Sequence, residues 1–287
     1  MTHRKGYTLI ELMIGLVLLG IVSGAIYKLL VTSQRVTRAQ GEHVDLQTNM
    51  RGAAMVVPTE LREMNTVVGG TADQNDVLVA GGTSIRYRAM RGVGFVCQTP
   101  TIGEVRIAAG TWTGLRNPVA VRDNGYVFLD QNPDKASDDI WQPVTITAVN
   151  LASTCGATPA YALTVFPTVA ALTAVPVNTP VRLYEVMEMS MYANSGQWWL
   201  GARSVSGLEL APQPLVGPLD PTGNAGLNLS YRDAGNAVTA DLTSIKSIRV
   251  GLQGLSSYNV ASGTGSTLGQ LQETDSTQVV LRNAFRP

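Results

Sequence analysis

The sequence predicts an α+β protein: a long N-terminal α-helix, membrane-length in its first half and amphipathic in its second, packed on a C-terminal antiparallel β-rich head. Three observations predict it. An apolar run without charge from Leu12 to Tyr27 follows a short basic N-terminus. An apolar stripe with helical spacing runs from Leu46 to Met64. Beyond Met64 no helical period of useful length recurs, and short β-branched and aromatic runs alternate with Gly, Pro, Asn and Asp.

The first element is the apolar segment 7–31. It is long enough to span a bilayer, and Glu11 and Lys28 are the only charges inside it. A carboxylate such as Glu11 costs about 2.5–3.5 kcal/mol near the centre of a membrane helix, so it asks for a partner. Three readings compete for the segment. A cleaved secretory signal would use His3-Arg4-Lys5 as its basic region and Ser23-Gly24-Ala25 as its cleavage site, but a charge at Glu11 disfavours it. A plain membrane anchor is the second. In the third, cleavage follows Gly6 on the cytoplasmic side and the apolar segment stays in the mature chain. Gly20 and Gly24 form a GxxxG, and Gly15 adds a small position. Such residues let helices approach closely, although glycine is also simply commoner in membrane helices.

The second element, 32–65, carries the stripe Leu46, Met50, Ala53, Val57, Leu61 and Met64, with Gln40, Glu42, Asp45, Gln47 and Arg51 on the other face. It predicts packing on a globular head, with a kink or break at Pro58. Residues 66–84 read as a loop. Strands are predicted at 84–87, 94–98, 104–107, 126–129, 144–149 and 161–166. A second set falls at 181–192, 198–203, 227–231, 247–252 and 278–283. The head 66–287 thus forms one or two antiparallel sheets, divided at about 180 if there are two.

The N-terminal junction resembles the type IV prepilin family. Lys5-Gly6 matches its cleavage pair, Tyr7 its new N-terminus (usually Phe), and Thr8-Leu9-Ile10-Glu11-Leu12 its hallmark. The resemblance implies that a membrane-embedded peptidase removes the leader 1–6 after Gly6 and methylates the amine of Tyr7. It also implies that Glu11 pairs with the amine of a neighbouring subunit. The spacing suits this, because Tyr7 and Glu11 lie one helical turn apart. Further likeness, to PilW-type minor pilins and to pseudopilin J of type II secretion, is weaker. It rests on Val181-Arg182-Leu183-Tyr184-Glu185-Val186, Trp198-Trp199-Leu200, Tyr231 with Asp233 and Gly235, 245–250 and 279–283. Residues 66–180 resemble nothing in those proteins, and the added length favours the pilus branch.

The function expected from the resemblance is structural: a minor pilin-like subunit in the inner membrane, head in the periplasm, helping to initiate or cap a type IV pilus. Pseudopilin J is the alternative. A head displayed as an adhesin or carbohydrate-binding module is an alternative of another class, signalled by exposed Trp112, Trp198 or Trp199. Expected partners are other pilins or pseudopilins through the N-terminal helix, prepilin peptidase and the inner-membrane assembly platform.

Chemistry beyond this is sparse. Formal net charge is zero, so nothing invites nucleic acid. The run Arg86, Arg88 and Arg91 is too short for such a patch. The only histidines are His3 and His43, which argues against His-based catalysis or metal binding. No phosphate loop, CxxC or nucleophile elbow occurs, and neither an enzyme nor a cofactor is expected. Cys97 and Cys155 are an even pair in an exported-looking head, so they form one disulfide or stay two separate buried thiols. Asp130, Asn132, Asp134 and Asp138 occupy positions 1, 3, 5 and 9 of an EF-hand-like loop. Lys135 stands where its glycine belongs and Trp141 where its glutamate belongs, so a solvated acidic turn is preferred to a calcium site.

Overall fold

The computed structural model describes residues 8–65, 75–130, 134, 139–168, 170–223, 225–261 and 268–282. The architecture is the α+β one expected. A single helix, α1 (Leu9–Arg62), spans 54 residues, about 81 Å at 1.5 Å per residue. Its second half docks on the head through the whole predicted stripe: Leu46, Met50, Ala53, Val57, Leu61 and Met64 are all buried. Pro58 neither breaks nor ends the helix. The proline ring is buried beside Val57, and this packing offsets the missing backbone hydrogen bond.

The strands among the described residues are β1 (Val77–Ala80), β2 (Ser84–Thr101), β3 (Glu104–Ala108), β4 (Asp123–Leu129), β5 (Ile140–Cys155), β6 (Thr158–Phe166) and β7 (Pro180–Asn194). They continue with β8 (Gln197–Ser204), β9 (Gln213–Leu219), β10 (Leu227–Arg232), β11 (Ser247–Leu255), β12 (Val260–Ala261), β13 (Leu268–Gly269) and β14 (Gln272–Val280). All but β12 and β13 belong to one sheet. Four departures from the sequence expectation have physical causes. Strand β1 lies inside the expected loop, of which 66–74 fall outside the described residues. The two strands expected at 84–87 and 94–98 are one, because the intervening residues 88–93, Gly92 among them, are strand positions. Strand β9 was missed because Pro214 and Pro218 lack backbone donors, and its pairing with β8 is irregular. The strand expected at 278–283 begins earlier, at Gln272, where polar Glu273, Thr274 and Asp275 hide it.

The pairings contain a closed ring. Strand β2 pairs with β3, β3 with β6, β6 with β5, β5 with β4, β4 with β7, and β7 returns to β2. Six antiparallel strands therefore close on themselves, which removes exposed edges. One apolar cluster belongs to the ring: Val96, Ile107, Val127, Ile146, Leu163 and Leu183 are buried, and Leu172 from a short 3-10 turn joins them. A second cluster lies between α1 and the rest of the sheet, with Ile85, Tyr87, Met189, Leu229 and Ile248 facing the helix stripe.

Cys97 on β2 and Cys155 at the end of β5 form a disulfide, their Cα atoms 6.0 Å apart and 58 residues apart in sequence. Closing a loop of that length stabilises by about 4 kcal/mol in the chain-entropy account. The Tyr231 hydroxyl donates to the Gly81 carbonyl at 3.0 Å, tying β10 to the turn between β1 and β2. Asp233 accepts from the amides of Gly235 and Ala237, both at 2.9 Å, and shapes the turn after β10.

Helix docking leaves no spare room at Gly254 on β11. A Cβ there would lie 2.7 Å from both Leu46 Cδ1 and Met50 Sδ. Gly254→Val should therefore destabilise the head by about 1–3 kcal/mol through overpacking. Thermal unfolding followed by circular dichroism should show the lower midpoint, with the disulfide intact.

Candidate functional site

The described part of the N-terminal junction begins at Thr8; Gly6 and Tyr7 lie outside the described residues. Thr8 is the N-cap of α1, extended at φ −80° and ψ 149°. Its hydroxyl oxygen accepts from the Glu11 amide at 3.4 Å. The Glu11 carboxylate in turn accepts from the Thr8 amide at 2.9 Å and from the Thr8 hydroxyl at 3.0 Å. This is a capping box, and the pattern Thr-x-x-Glu at 8–11 was its sequence signal. The carboxylate thus has local partners in the isolated chain, and it stays exposed.

Around it, none of the apolar half of α1 is covered. The side chains of Leu9, Leu12, Ile14, Leu16, Leu19 and Ile21 are each more than half exposed. A Cβ added at Gly15, Gly20 or Gly24 would meet nothing within 4 Å. The helix is long and apolar enough to cross a membrane, and no part of that stretch is buried within the chain. An apolar surface of this extent marks contact with lipid or with other subunits.

The remaining candidates separate. Asp130 and Asp134 are both exposed, while Asn132 and Asp138 lie outside the described residues. Among the described residues no group of three or more His, Cys, Asp or Glu is placed to hold a metal. Trp112 is no exposed contact. A Cβ at Gly92 would strike its ring, and its Nε1 donates to the Arg116 carbonyl at 2.8 Å, so it fills the space beside the ring's core. Trp199 packs over Gly217, and Trp198 is 38% exposed. An aromatic wall does line a pocket, but around Trp141, Tyr126 and Arg182. Sequence spacing offered no hint of it, because β7 meets β4 across more than fifty residues.

The basic run is consumed internally. Arg86 Nη2 pairs with Glu188 at 2.6 Å, and Arg88 Nη1 donates to the Asn75 carbonyl. Arg91 is the extra residue of a bulge in β2 between Met90 and Gly92. Its Nε meets Glu185 at 2.7 Å. Glu185 on β7 is 1% exposed and also meets Arg116 at 3.2 Å and Arg122. Arg116 in turn grips the fully buried Asp123 through two hydrogen bonds. Burial pushes the Glu185 carboxyl up, but hydrogen bonds from Ser204 and Arg91 and the arginine charges outweigh it and hold the group below its ordinary range.

Residues 1–27 match the family model described as the Prokaryotic N-terminal methylation motif. The match supports a type IV pilin- or pseudopilin-like protein: a membrane-anchored structural subunit, processed by prepilin peptidase and assembled with other pilins. Comparison with curated proteins and with solved structures returns no match.

Removing Glu185 would leave Arg91 without a carboxylate and take one of two carboxylate partners from both Arg116 and Arg122, which keep Asp123 and Glu209. Glu185→Ala should cost about 3–5 kcal/mol in urea unfolding at neutral pH. Because the folded carboxyl titrates below its ordinary value of 4.5, its contribution is complete above that pH and is lost as pH falls through the depressed value. The gap between wild type and variant should therefore narrow below about pH 4.5.

Proposed function

We propose that the chain is a minor pilin-like structural subunit that helps to initiate or cap a type IV pilus. The observation that carries this is the junction itself. It joins a methylation motif over residues 1–27 to a helix whose apolar half has no cover within its own chain. On this reading cleavage after Gly6 exposes Tyr7, whose amine is methylated. The mature helix anchors the head on the periplasmic side of the inner membrane until assembly. Glu11 then exchanges its local bonds to Thr8 for the amine of a neighbouring subunit, and an ion pair in an apolar helix bundle offsets the burial of both charges. Gly15, Gly20 and Gly24 provide close approach between helices.

The six-stranded ring supports a place at the filament end. Its strands β4, β5 and β7 share a pocket with Glu63 and Asn65 at the far end of α1. The ring's bulk therefore sits about 80 Å along the helix from Glu11. Bulk at that end is best accommodated where no subunit is stacked beyond it. A pseudopilin J would use the same junction, and the added ring favours the pilus reading over it.

Gly6→Ala should leave the leader attached, seen as an unprocessed intact mass; a normally processed, methylated chain would overturn the proposal. Glu11→Ala should still insert in the membrane but reduce filament number at least about tenfold. Thr8→Ala, which removes the cap and keeps the carboxylate, should assemble nearly as wild type. Equal loss in the two variants would assign the effect to capping instead of pairing.

A further inference from the structure

Beside the C-terminal end of α1 a pocket of about 350 Å³ opens on the outer wall of the ring. Its lining includes Asn65, Asp76, Tyr126, Trp141, Arg182 and Arg282. Arg182 on β7 stands opposite Val93 of β2 and Tyr126 of β4. Its guanidinium lies 4.4 Å from the centre of the Trp141 ring. It is half-buried, and among the described residues no group accepts a hydrogen bond from it or forms an ion pair with it. That sets it apart from Arg86, Arg91, Arg116, Arg122 and Arg203, each of which meets a carboxylate. Its neighbour Arg282 is a second cation at the rim, more than half exposed and 3.4 Å from Glu63. Burial and the like charge of Arg282 disfavour the Arg182 cation and outweigh the support of the Asp76 charge. A planar fork of unused donors beside an aromatic wall is built for a carboxylate carried on a ring.

The geometry points to a binding site for a carboxylate-bearing sugar, a hexuronate residue, whose carboxylate meets Arg182 and whose ring lies against Trp141 and Tyr126. The other lining groups narrow the class. Asp76, Asp139 and Glu63 share the pocket, so a dianionic phosphate would meet about twice the repulsion that a monoanion meets. Asp76 accepts from the Asn65 amide at 2.6 Å, and burial pushes its carboxyl up to about 6. It can therefore hydrogen-bond a hydroxyl near neutral pH in either protonation state. A neutral sugar would leave the donors of Arg182 unmet, and a bare carboxylate such as acetate would leave the aromatic wall uncovered. The volume suits one or two sugar residues. This goes beyond the assembly role and does not depend on it.

The test uses the full chain in detergent micelles, titrated with sodium glucuronate, glucose or acetate and followed by calorimetry and tryptophan fluorescence. Glucuronate should bind in the millimolar range or tighter, at least about tenfold better than glucose or acetate. Trp141→Phe should abolish the fluorescence change. Arg182→Gln should weaken glucuronate at least about tenfold with an unchanged circular dichroism spectrum. Arg182→Lys, which keeps the charge and loses the fork, should fall between them, and it decides the question if Arg182→Gln does not fold. A glucuronate tetrasaccharide that binds more tightly than the monosaccharide identifies a glycan chain end as the source, and equal binding identifies the free sugar acid. Glucuronate no better than acetate and glucose, or undiminished binding by the arginine variants, overturns the proposal.

Discussion

The antiparallel ladder between β2 and β7 is the constraint on which the rest of the head depends. It runs from Ser84 opposite Ser190 to Phe95 opposite Pro180. One end of the ladder belongs to the layer that receives α1, where Ile85, Tyr87 and Met189 face the helix stripe. The other end closes the ring, where Val96, Val181 and Leu183 enter the second cluster. Without this pairing the ring would be an open sheet with two raw edges, and the helix layer would lose its middle. The bulge at Arg91 marks the change from one environment to the other. It also aims a cation at Glu185, so the one irregularity in the ladder is held by a buried ion cluster. Such a cluster stabilises little in net terms, since desolvation cancels much of the attraction, but it penalises any register that separates its members.

A different constraint governs the N-terminus. Within the described head two apolar clusters are buried, whereas none of the apolar stretch of α1 is buried. That asymmetry cannot be relieved inside one chain, so this part of the molecule is built for lipid and for neighbours. The capping box shows how a carboxylate can be kept there. Its oxygens accept from a backbone amide that the helix leaves unpaired, so the charge has local compensation within its own chain. On the proposed reading the same atoms serve two stages, a local hydrogen bond first and an intermolecular ion pair after it.

The two ends of the helix divide the work. The Glu11 end carries the methylation motif, to which the proposed assembly role belongs. The Arg282 end carries the ring, the aromatic wall and an arginine that has no hydrogen-bond acceptor among the described residues, the features on which the proposed recognition rests. Rigid helical separation lets these act independently, and the disulfide between Cys97 and Cys155 holds the ring without touching either end.

The helix, its apolar half, its stripe and the methylation junction were legible in the sequence, because helical periodicity and a short motif are local properties of consecutive residues. The stripe from Leu46 to Met64 is buried to the last member. Closure of the ring was not legible: β2 and β7 meet across some ninety residues, and no local pattern encodes a pairing at that distance. For the same reason Trp112, whose exposure would have signalled the binding-module alternative, is packing, while Trp141 lines a pocket that composition could not announce. Pro58 stayed helical because burial outweighed a local preference. By itself the sequence determined the helix, the anchor and the β-rich class, which depend on neighbours in the chain. Only the tertiary structure decided the ring, the ion cluster around Glu185 and the pocket beside Arg182, which depend on strands brought together from distant segments.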